Sequence, residues 1–299
     1  MSAYKNIAVA GAAGDLGGTV FKHLVDSNKF NLTVLTRAGS KSTFPEGIKV
    51  VEVDYDNLES LTAALQGQEA VVSTIGSLAI PSQSLLIDAA VAAGVQRFLP
   101  SEFGSNLIIP SVRNLPVFRT KVIIEDKLIA LSNEGKISYT FVYNSAFLDW
   151  GLTHALFLDF AKSETTLWDG GDVEFSTTTL DSVGDGVVGV LTHPEETKDR
   201  IVYIQDTVLT LNKLLALAKE VNPNKEWTVK QGSIDEVVAK SDANVAKGIF
   251  DWPTLGAYLY RAIFDASSVP KFPKLDNELL GIKGVTEEQI KELIKPHVQ

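Results

Sequence analysis

The sequence has 299 residues, of which 45% are hydrophobic and 21% charged, a composition typical of a soluble globular protein with ample core. Its 37 acidic and 27 basic residues give a net charge of −10, which argues against general binding to nucleic acid or to anionic membranes. The absence of cysteine excludes disulfides and thiolate sites, and the four histidines show no HExxH-type spacing, so no metal site is expected.

The first 145 residues alternate predicted strands with predicted helices. The strand candidates are NIAVAG, NLTVLT, IKVVEV, EAVVSTIG, QRFLPS and SYTFVY. Between them, apolar residues recur at helical spacing in Val20–Val25, Leu58–Leu65, Leu85–Ala90 and Val117–Leu131. Alternation of apolar strands with helices predicts an α/β fold, with a doubly wound parallel sheet that helices cover on both faces.

The pattern changes after about residue 148. LTHALFLDFA is predicted as a helix, the segment from Thr166 to Thr179 as short strands, and DSVGDGVVGVL as another helix. RIVYIQ is predicted to return a strand at 201–204 to the first sheet, and the remaining tail is mostly helical. Because no flexible linker is visible, we predict a smaller α+β C-terminal lobe, residues 149–299, that packs on residues 1–148 and interleaves with them.

A glycine-rich stretch, GAAGDLGG, directly follows the first strand. Gly11, Gly14 and Gly17 form a GxxGxxG pattern that permits a tight turn, and we expect a helix to begin near Gly17. A helix N-terminus there offers N–H groups and a favourable dipole to a pyrophosphate. We therefore predict a Rossmann-type dinucleotide site; the alternative is an ordinary glycine-rich turn. The candidate cofactor contacts in this stretch are Gly11, Ala13, Gly14, Asp15, Leu16 and Gly17.

The end of the second strand favours NADP(H) over NAD(H). An NAD site needs a carboxylate at this position for the ribose 2′-hydroxyl, but no acid occurs from Val34 to Thr43. Arg37, with Thr36 before it and Lys41 after it, could instead bind the 2′-phosphate. The alternative is that both cations belong to a solvated loop.

Lys121 lies on the apolar face of the helix predicted over Val117–Leu131. A lysine in an apolar cleft loses hydration, which lowers its pKa towards that of a useful general acid or base. Left charged, it could stabilise a developing phenolate or alkoxide. The alternative from the residues alone is an i, i+4 ion pair with Glu125, which is common and contributes little.

Nearly the whole chain resembles the isoflavone reductase-like, NmrA-like branch of the atypical short-chain dehydrogenase/reductases. The resemblance rests on GAAGDLGG, VLTRAGS, QSLLIDAAVAAGVQRFLPSEFG, FRTK, SYTFVYNSAF and DNELLGIKGVTEEQ. It implies a Rossmann domain that binds NADPH, a smaller substrate lobe over the nicotinamide, and an active-site lysine at Lys121. The sequence departs from the plant reductases at Glu125 and Asp126, where they carry arginines, and it has no YxxxK pair, so tyrosine-acid chemistry is not expected.

Further site residues follow from the rule that ligands bind at the carboxyl ends of parallel strands. We predict that Lys121 and Glu102 are catalytic, although Glu102 could instead bind backbone groups and shape its loop. The additional cofactor candidates are Thr74, Ile75, Gly76, Ser101, Lys121, Tyr143, Asn144 and Phe147. The candidates for the substrate wall are Phe103, Trp150, Trp168 and Trp252, with core packing as the alternative for each aromatic residue.

Two functional hypotheses remain open at this level. The first is an NADPH-dependent reductase of an aromatic or alkaloid-like secondary metabolite. The second is an NADP(H)-binding protein without net redox turnover, either a redox-sensing regulator or an enzyme of acid-catalysed imine formation or ring closure. With no recognisable signal peptide or membrane span, we expect a cytoplasmic protein with a small aromatic or heterocyclic substrate and no nucleic-acid or membrane partner. The oligomeric state stays open.

Overall fold

The computed structural model describes residues 4–298. Its strands are β1 (Asn6–Ala10), β2 (Asn31–Arg37), β3 (Lys49–Val53), β4 (Ala70–Ser73), β5 (Arg97–Leu99), β6 (Ser138–Tyr143), β7 (Ala146–Phe147), β8 (Glu164–Trp168), β9 (Phe175–Thr178), β10 (Arg200–Tyr203), β11 (Thr207–Leu209) and β12 (Thr228–Gly232). Its α-helices are α1 (Asp15–Asp26), α2 (Leu58–Ala64), α3 (Gln83–Ala92), α4 (Pro110–Arg113), α5 (Arg119–Asn133), α6 (Leu148–Thr153), α7 (Leu180–Thr192), α8 (Leu211–Val221), α9 (Ile234–Val245), α10 (Trp252–Phe264), α11 (Asn277–Leu280) and α12 (Glu287–Ile294).

Within residues 4–298, the largest sheet has seven parallel strands in the order β10-β6-β5-β4-β1-β2-β3. Successive side chains of β1 point to opposite faces of the sheet, and both faces are covered by helices. Ala8 and Ala10 join the core that packs under α2, α3 and α5, whereas Ile7 and Val9 join the core under α1 and α7. The predicted doubly wound parallel sheet is therefore confirmed, including each of the six predicted strands.

The edge of the large sheet is completed from the second half of the chain. β10 pairs in parallel with β6, with Arg200 opposite Thr140, so a strand returns to this sheet at 200–203, where the sequence predicted one at 201–204. Close by, the buried guanidinium of Arg97 donates to the hydroxyl of Thr140 and to the carbonyl of Pro194, both at 2.7 Å. The two halves of the sequence therefore share one sheet and one buried hydrogen-bond cluster.

The remaining strands form two small sheets, β11-β9-β7 and β12-β8, which surround a third apolar core with α8, α9, α10 and α12. The predicted helix LTHALFLDFA is wrong over most of its length. α6 ends at Thr153, and Ala155 takes a left-handed φ of +57°, which interrupts helical geometry. The segment that follows instead buries Phe157 and Leu158 in the third core.

The placement of the C-terminal helices agrees with the predicted smaller lobe, whereas the exact division at residues 148 and 149 stays a prediction. Across residues 4–298, no helix combines the length and the apolarity needed to cross a membrane.

Candidate active site

A cleft of about 1350 Å³ opens at the carboxyl edge of the large sheet. Its floor comes from the turns after β1, β2, β4 and β5, and its far wall from α6, α7 and α10. The cleft is lined by many of the residues predicted from the sequence: Gly11, Ala13, Gly14, Asp15, Leu16, Thr36, Arg37, Thr74, Ile75, Gly76, Ser101, Glu102, Phe103, Lys121, Phe147 and Trp150.

The glycine-rich turn is packed too closely for side chains at two of its positions. Gly11 has φ +87°, and a Cβ atom on it would stand 2.7 Å from the backbone of Thr74. A Cβ atom on Gly17 would stand 2.0 Å from the carbonyl oxygen of Gly11. Gly17 does not line the cleft but packs beneath the turn, so its predicted cofactor contact is corrected to structural support.

Helix α1 begins at Asp15, two residues before the predicted start, with Gly14 as its N-cap. The first-turn N–H groups of a helix have no intrahelical acceptors, so this end of α1 can receive an anion. The turn thus combines close backbone approach with free donors at the cleft.

Arg37 ends β2 and is exposed on the cleft, beside Ser40 and Ser42. Lys41, in contrast, is exposed but does not line the cleft, although its neighbours Ser40 and Ser42 do. Asp56, from the loop after β3, also lines this end and was missed by the sequence reasoning. Its position could have been inferred, since β3 neighbours β2 and its carboxyl end meets the same edge.

Lys121 and Glu102 both line the cleft and contact each other. The amino group of Lys121, on the first turn of α5, donates a hydrogen bond to the main-chain carbonyl of Glu102. The Glu102 side chain is buried, and its Oε1 atom has no hydrogen-bond partner within residues 4–298. The interpretation of Glu102 as a carboxylate that binds backbone groups therefore finds no support at Oε1.

Burial shifts both groups towards their neutral forms. It raises the pKa of Glu102 to about 8, even though the positive charge of Lys121 acts to lower it. Burial lowers the pKa of Lys121, against the attraction of the Glu102 and Glu125 carboxylates. Near neutral pH, the cleft therefore holds a carboxylic acid next to an amine that is easier to deprotonate than usual.

The i, i+4 ion pair between Lys121 and Glu125 is not formed in the structure. Glu125 is buried and accepts from Arg113 Nη1 at 2.8 Å and from the hydroxyl of Tyr143. The alternative that Lys121 serves only as the partner of Glu125 is therefore wrong. The apolar face of α5 carries a lysine that is directed to the Glu102 loop.

Two residues predicted to contact the cofactor do not line the cleft. Tyr143 ends β6, but its ring lies under α5 and packs edge-on against Tyr203, with 5.7 Å between ring centroids. Asn144 is fully buried, and its main-chain N–H donates to the carbonyl of Gly104 at 3.2 Å. Both are corrected to residues that hold the β6 loop against the loop containing Glu102.

Two predicted substrate-wall residues also lie elsewhere. Trp168 stacks on Tyr260 in the C-terminal lobe, with 4.6 Å between ring centroids, because β8 faces the third core. Trp252 is 59% exposed at the first residue of α10 and does not line the cleft. The apolar wall is formed instead by residues that were not singled out for it: Phe118, Leu156, Leu180, Leu259 and Ile263.

Two left-handed residues shape the loops around Glu102. Phe103 has φ +30° and Ser145 has φ +56°, conformations that are uncommon for residues other than glycine. Main-chain N–H groups of Asn144 and Ser145 both donate to Gly104, which ties the two loops together. Such strained backbone concentrates at functional sites, where the surrounding structure holds it in place.

The sheet order and the cleft at its carboxyl edge define an α/β protein of the Rossmann type with a dinucleotide-sized site. A model of the NmrA-like family matches residues 3–251, so the chain belongs to the NmrA-like family. The predicted resemblance to this family is thereby confirmed.

Individual relatives extend over most of the chain. The oxidoreductase poxI of Penicillium oxalicum is 30% identical over 293 residues, which cover 94% of this chain and 91% of the relative. The oxidoreductase aprR of Aspergillus flavus is 34% identical over 258 residues, which cover 85% of this chain and 86% of the relative. A solved structure described as AtPrR2 with NADP+ and (+)pinoresinol has a TM-score of 0.79 at 22% identity and covers 100% of both chains. This last likeness concerns the fold.

Proposed function

We propose that the protein is an NADPH-dependent reductase of an aromatic or alkaloid-like secondary metabolite, in which Lys121 and Glu102 handle the proton. The observation that carries the proposal is the contact between these two residues in a dinucleotide-sized cleft that both of them line. The names of two relatives, both oxidoreductases, support a redox reaction. The similar fold described with NADP+ and pinoresinol supports a nicotinamide cofactor and an aromatic substrate.

The residues of the cleft fit NADPH. A side chain at Gly11 would collide with the backbone of Thr74. The turn therefore requires glycine there, and its main chain is accessible to a pyrophosphate. Arg37 is exposed at the end of β2, where the sequence lacks an acid from Val34 to Thr43, and it can pair with a 2′-phosphate. Bound NADPH would supply the hydride.

Lys121 and Glu102 can supply the proton that accompanies a hydride. Because burial raises the pKa of Glu102 to about 8, its carboxyl group holds a proton near neutral pH. Lys121 can donate a proton or stabilise developing negative charge, since the carbonyl of Glu102 fixes its amino group at the cleft. The apolar side chains of Phe118, Leu259 and Ile263 line the same cleft and favour a substrate with an apolar surface.

The second candidate is a redox-silent enzyme, that is, one that binds NADP(H) but does not consume it. A protonated carboxyl group in an apolar cleft is also what acid-catalysed imine formation or ring closure requires, and Glu102 would be the acid. The difference lies in whether NADPH is consumed.

Deuterium transfer tests the two candidates directly. NADPH labelled at C4 is incubated with the protein and a panel of aryl ketones, enones, benzylic ethers such as pinoresinol, and cyclic imines. Deuterium in a product, with one NADPH oxidised for each product formed, is the expected result. A product formed without loss of NADPH would establish the redox-silent reaction instead.

The variant Lys121→Met tests the assignment of the lysine. Methionine keeps the helix and fills the apolar face, so we expect turnover to fall by ~10²-fold or more, the usual scale for a lost acid–base group. The melting temperature should hold or rise, because a half-buried cation is removed. Lys136→Met, an exposed lysine just beyond α5, is the matched control. Full turnover in the Lys121 variant would refute the assignment.

A further inference from the structure

The carboxylate of Glu125 is fully engaged by groups other than Lys121. Its Oε2 atom accepts from Arg113 Nη1 at 2.8 Å, and its Oε1 atom accepts from the hydroxyl of Tyr143. The same guanidinium also donates from Nη2 to Asp126. Arg113 therefore spans two successive acids of α5 from the short helix α4.

This arrangement matters because Glu125 is four residues after Lys121 on the same helix. Side chains at i and i+4 are neighbours on a helix surface, so an unengaged Glu125 would lie within reach of the lysine. A buried carboxylate without a partner is costly, so it either takes up a proton or pairs with a cation within reach; at alkaline pH pairing is favoured. Lys121 is the cation that faces it: the two groups interact electrostatically although they share no hydrogen bond.

We infer that Arg113 is a positioning residue that occupies Glu125 and thereby leaves Lys121 directed at the Glu102 carbonyl and the cleft. The inference rests on the proposed function, because that function is what requires Lys121 to be directed at the cleft. It explains the pair of acids at 125 and 126, which anchors a guanidinium from α4. Arg113 itself does not line the cleft, so it acts through Glu125.

The chemical reactivity of Lys121 tests this inference without a substrate. Trinitrobenzenesulfonate modifies neutral amines, and peptide mass spectrometry of the apoprotein at mildly alkaline pH gives the rate at Lys121 alone. In Arg113→Met, the freed Glu125 should pair with Lys121 and hold it protonated, and a pKa rise of about one unit lowers the neutral fraction about tenfold. We therefore expect modification about tenfold slower than in the wild type.

A second substitution should reverse this loss. In the double variant Arg113→Met with Glu125→Gln, the neutral amide cannot hold Lys121, so the modification rate should return to within about twofold of the wild type. Arg119→Met removes an exposed guanidinium from the same helix and should leave the rate unchanged. An unchanged rate in Arg113→Met, or no recovery in the double variant, would overturn the inference.

Folding is checked by circular dichroism, since Arg113→Met leaves a buried acid uncompensated. If that variant does not fold, Arg113→Gln retains an amide donor for Glu125 but no charge, and the same direction of change is expected. The proposed function fails separately, because a product formed without loss of NADPH would refute it, whereas undiminished turnover in Lys121→Met would refute only the assignment of the lysine. The order of the Lys121 modification rates among the Arg113 variants would still support or contradict the positioning role.

Discussion

The indole N–H of Trp150 donates a hydrogen bond to the carboxylate of Asp15, with 3.1 Å between Nε1 and Oδ2. Asp15 is the first residue of α1, and Trp150 belongs to α6. Because both residues line the cleft, the contact joins the glycine-rich turn to the start of the C-terminal part of the chain. It also fixes a negative charge at the helix end that we expect to receive a pyrophosphate.

Neutralising Asp15 should strengthen dinucleotide binding. Asp15→Asn keeps an oxygen that can accept from Trp150 but removes the repulsion, which is about 1 kcal/mol for two unit charges about 4 Å apart in water. We therefore expect the dissociation constant for NADPH to fall about fivefold in calorimetric titrations at low salt. Asp26→Asn, at the opposite end of α1, should leave it unchanged. Weaker binding by Asp15→Asn would show that the carboxylate contributes favourably.

Arg37 should determine the preference between NADPH and NADH. Arg37→Glu replaces an attraction for the 2′-phosphate by a repulsion, so the preference for NADPH should disappear or reverse. Lys41→Glu carries the same change of charge outside the cleft and should retain most of the preference. The measurement is the ratio of the two dissociation constants. Equal affinity of the wild type for both dinucleotides would contradict an NADP site.

The raised pKa of Glu102 should make folding less favourable as pH rises. Between its ordinary value of 4.5 and the folded value of about 8, the folded state binds more protons than the unfolded state. The free energy of unfolding therefore falls with pH in this window, on the order of 1 kcal/mol per unit. Glu102→Gln mimics the protonated acid, so its stability should match the wild type at low pH and exceed it increasingly towards pH 8.

Chemical denaturation at a series of pH values measures this difference. Lys121 is present in both proteins, so the comparison reports the Glu102 carboxyl group together with its interaction with Lys121. A constant difference across the whole range would mean that Glu102 titrates alike in the folded and unfolded states.

The same carboxyl group should appear in the pH profile of turnover. If Glu102 donates its proton, kcat/KM should be level below about 8 and fall about tenfold per unit above it. Glu102→Gln should lower the rate by ~10²-fold and remove that decline. If Glu102→Gln lowers kcat/KM but the fall above about pH 8 remains, another group donates the proton, and Lys121 is the first to examine.

The large sheet could be predicted from the sequence because its central strands β1, β4 and β5 are buried on both faces. Ile7, Val9 and their counterparts form apolar runs bounded by turns, and such runs are readable without tertiary information. The glycine-rich turn could also be predicted, because only glycine fits the close backbone packing at positions 11 and 17. The prediction of a helix over LTHALFLDFA was wrong because Ala155 takes a left-handed conformation, which cannot be predicted from an alanine in the sequence.

The loops that form the site could be predicted from the sequence, but the directions in which their side chains point could not. The rule for parallel sheets indicates which loops meet, and it led to Thr74, Glu102 and Phe147. It does not indicate that Tyr143 turns under α5 towards Glu125. The contact between Asp15 and Trp150 joins residues 135 positions apart, and no local pattern encodes such a pairing.

The pairing of β10 with β6 constrains how the chain can be synthesised and cut. Until Tyr203 has left the ribosome, β6 has an open edge whose backbone groups can pair with another chain. Arg97 meanwhile lacks the Pro194 carbonyl that it binds in the finished protein. A fragment ending at residue 148 would contain every predicted dinucleotide contact, yet it should aggregate, and supplying the missing segment as a separate peptide should rescue it.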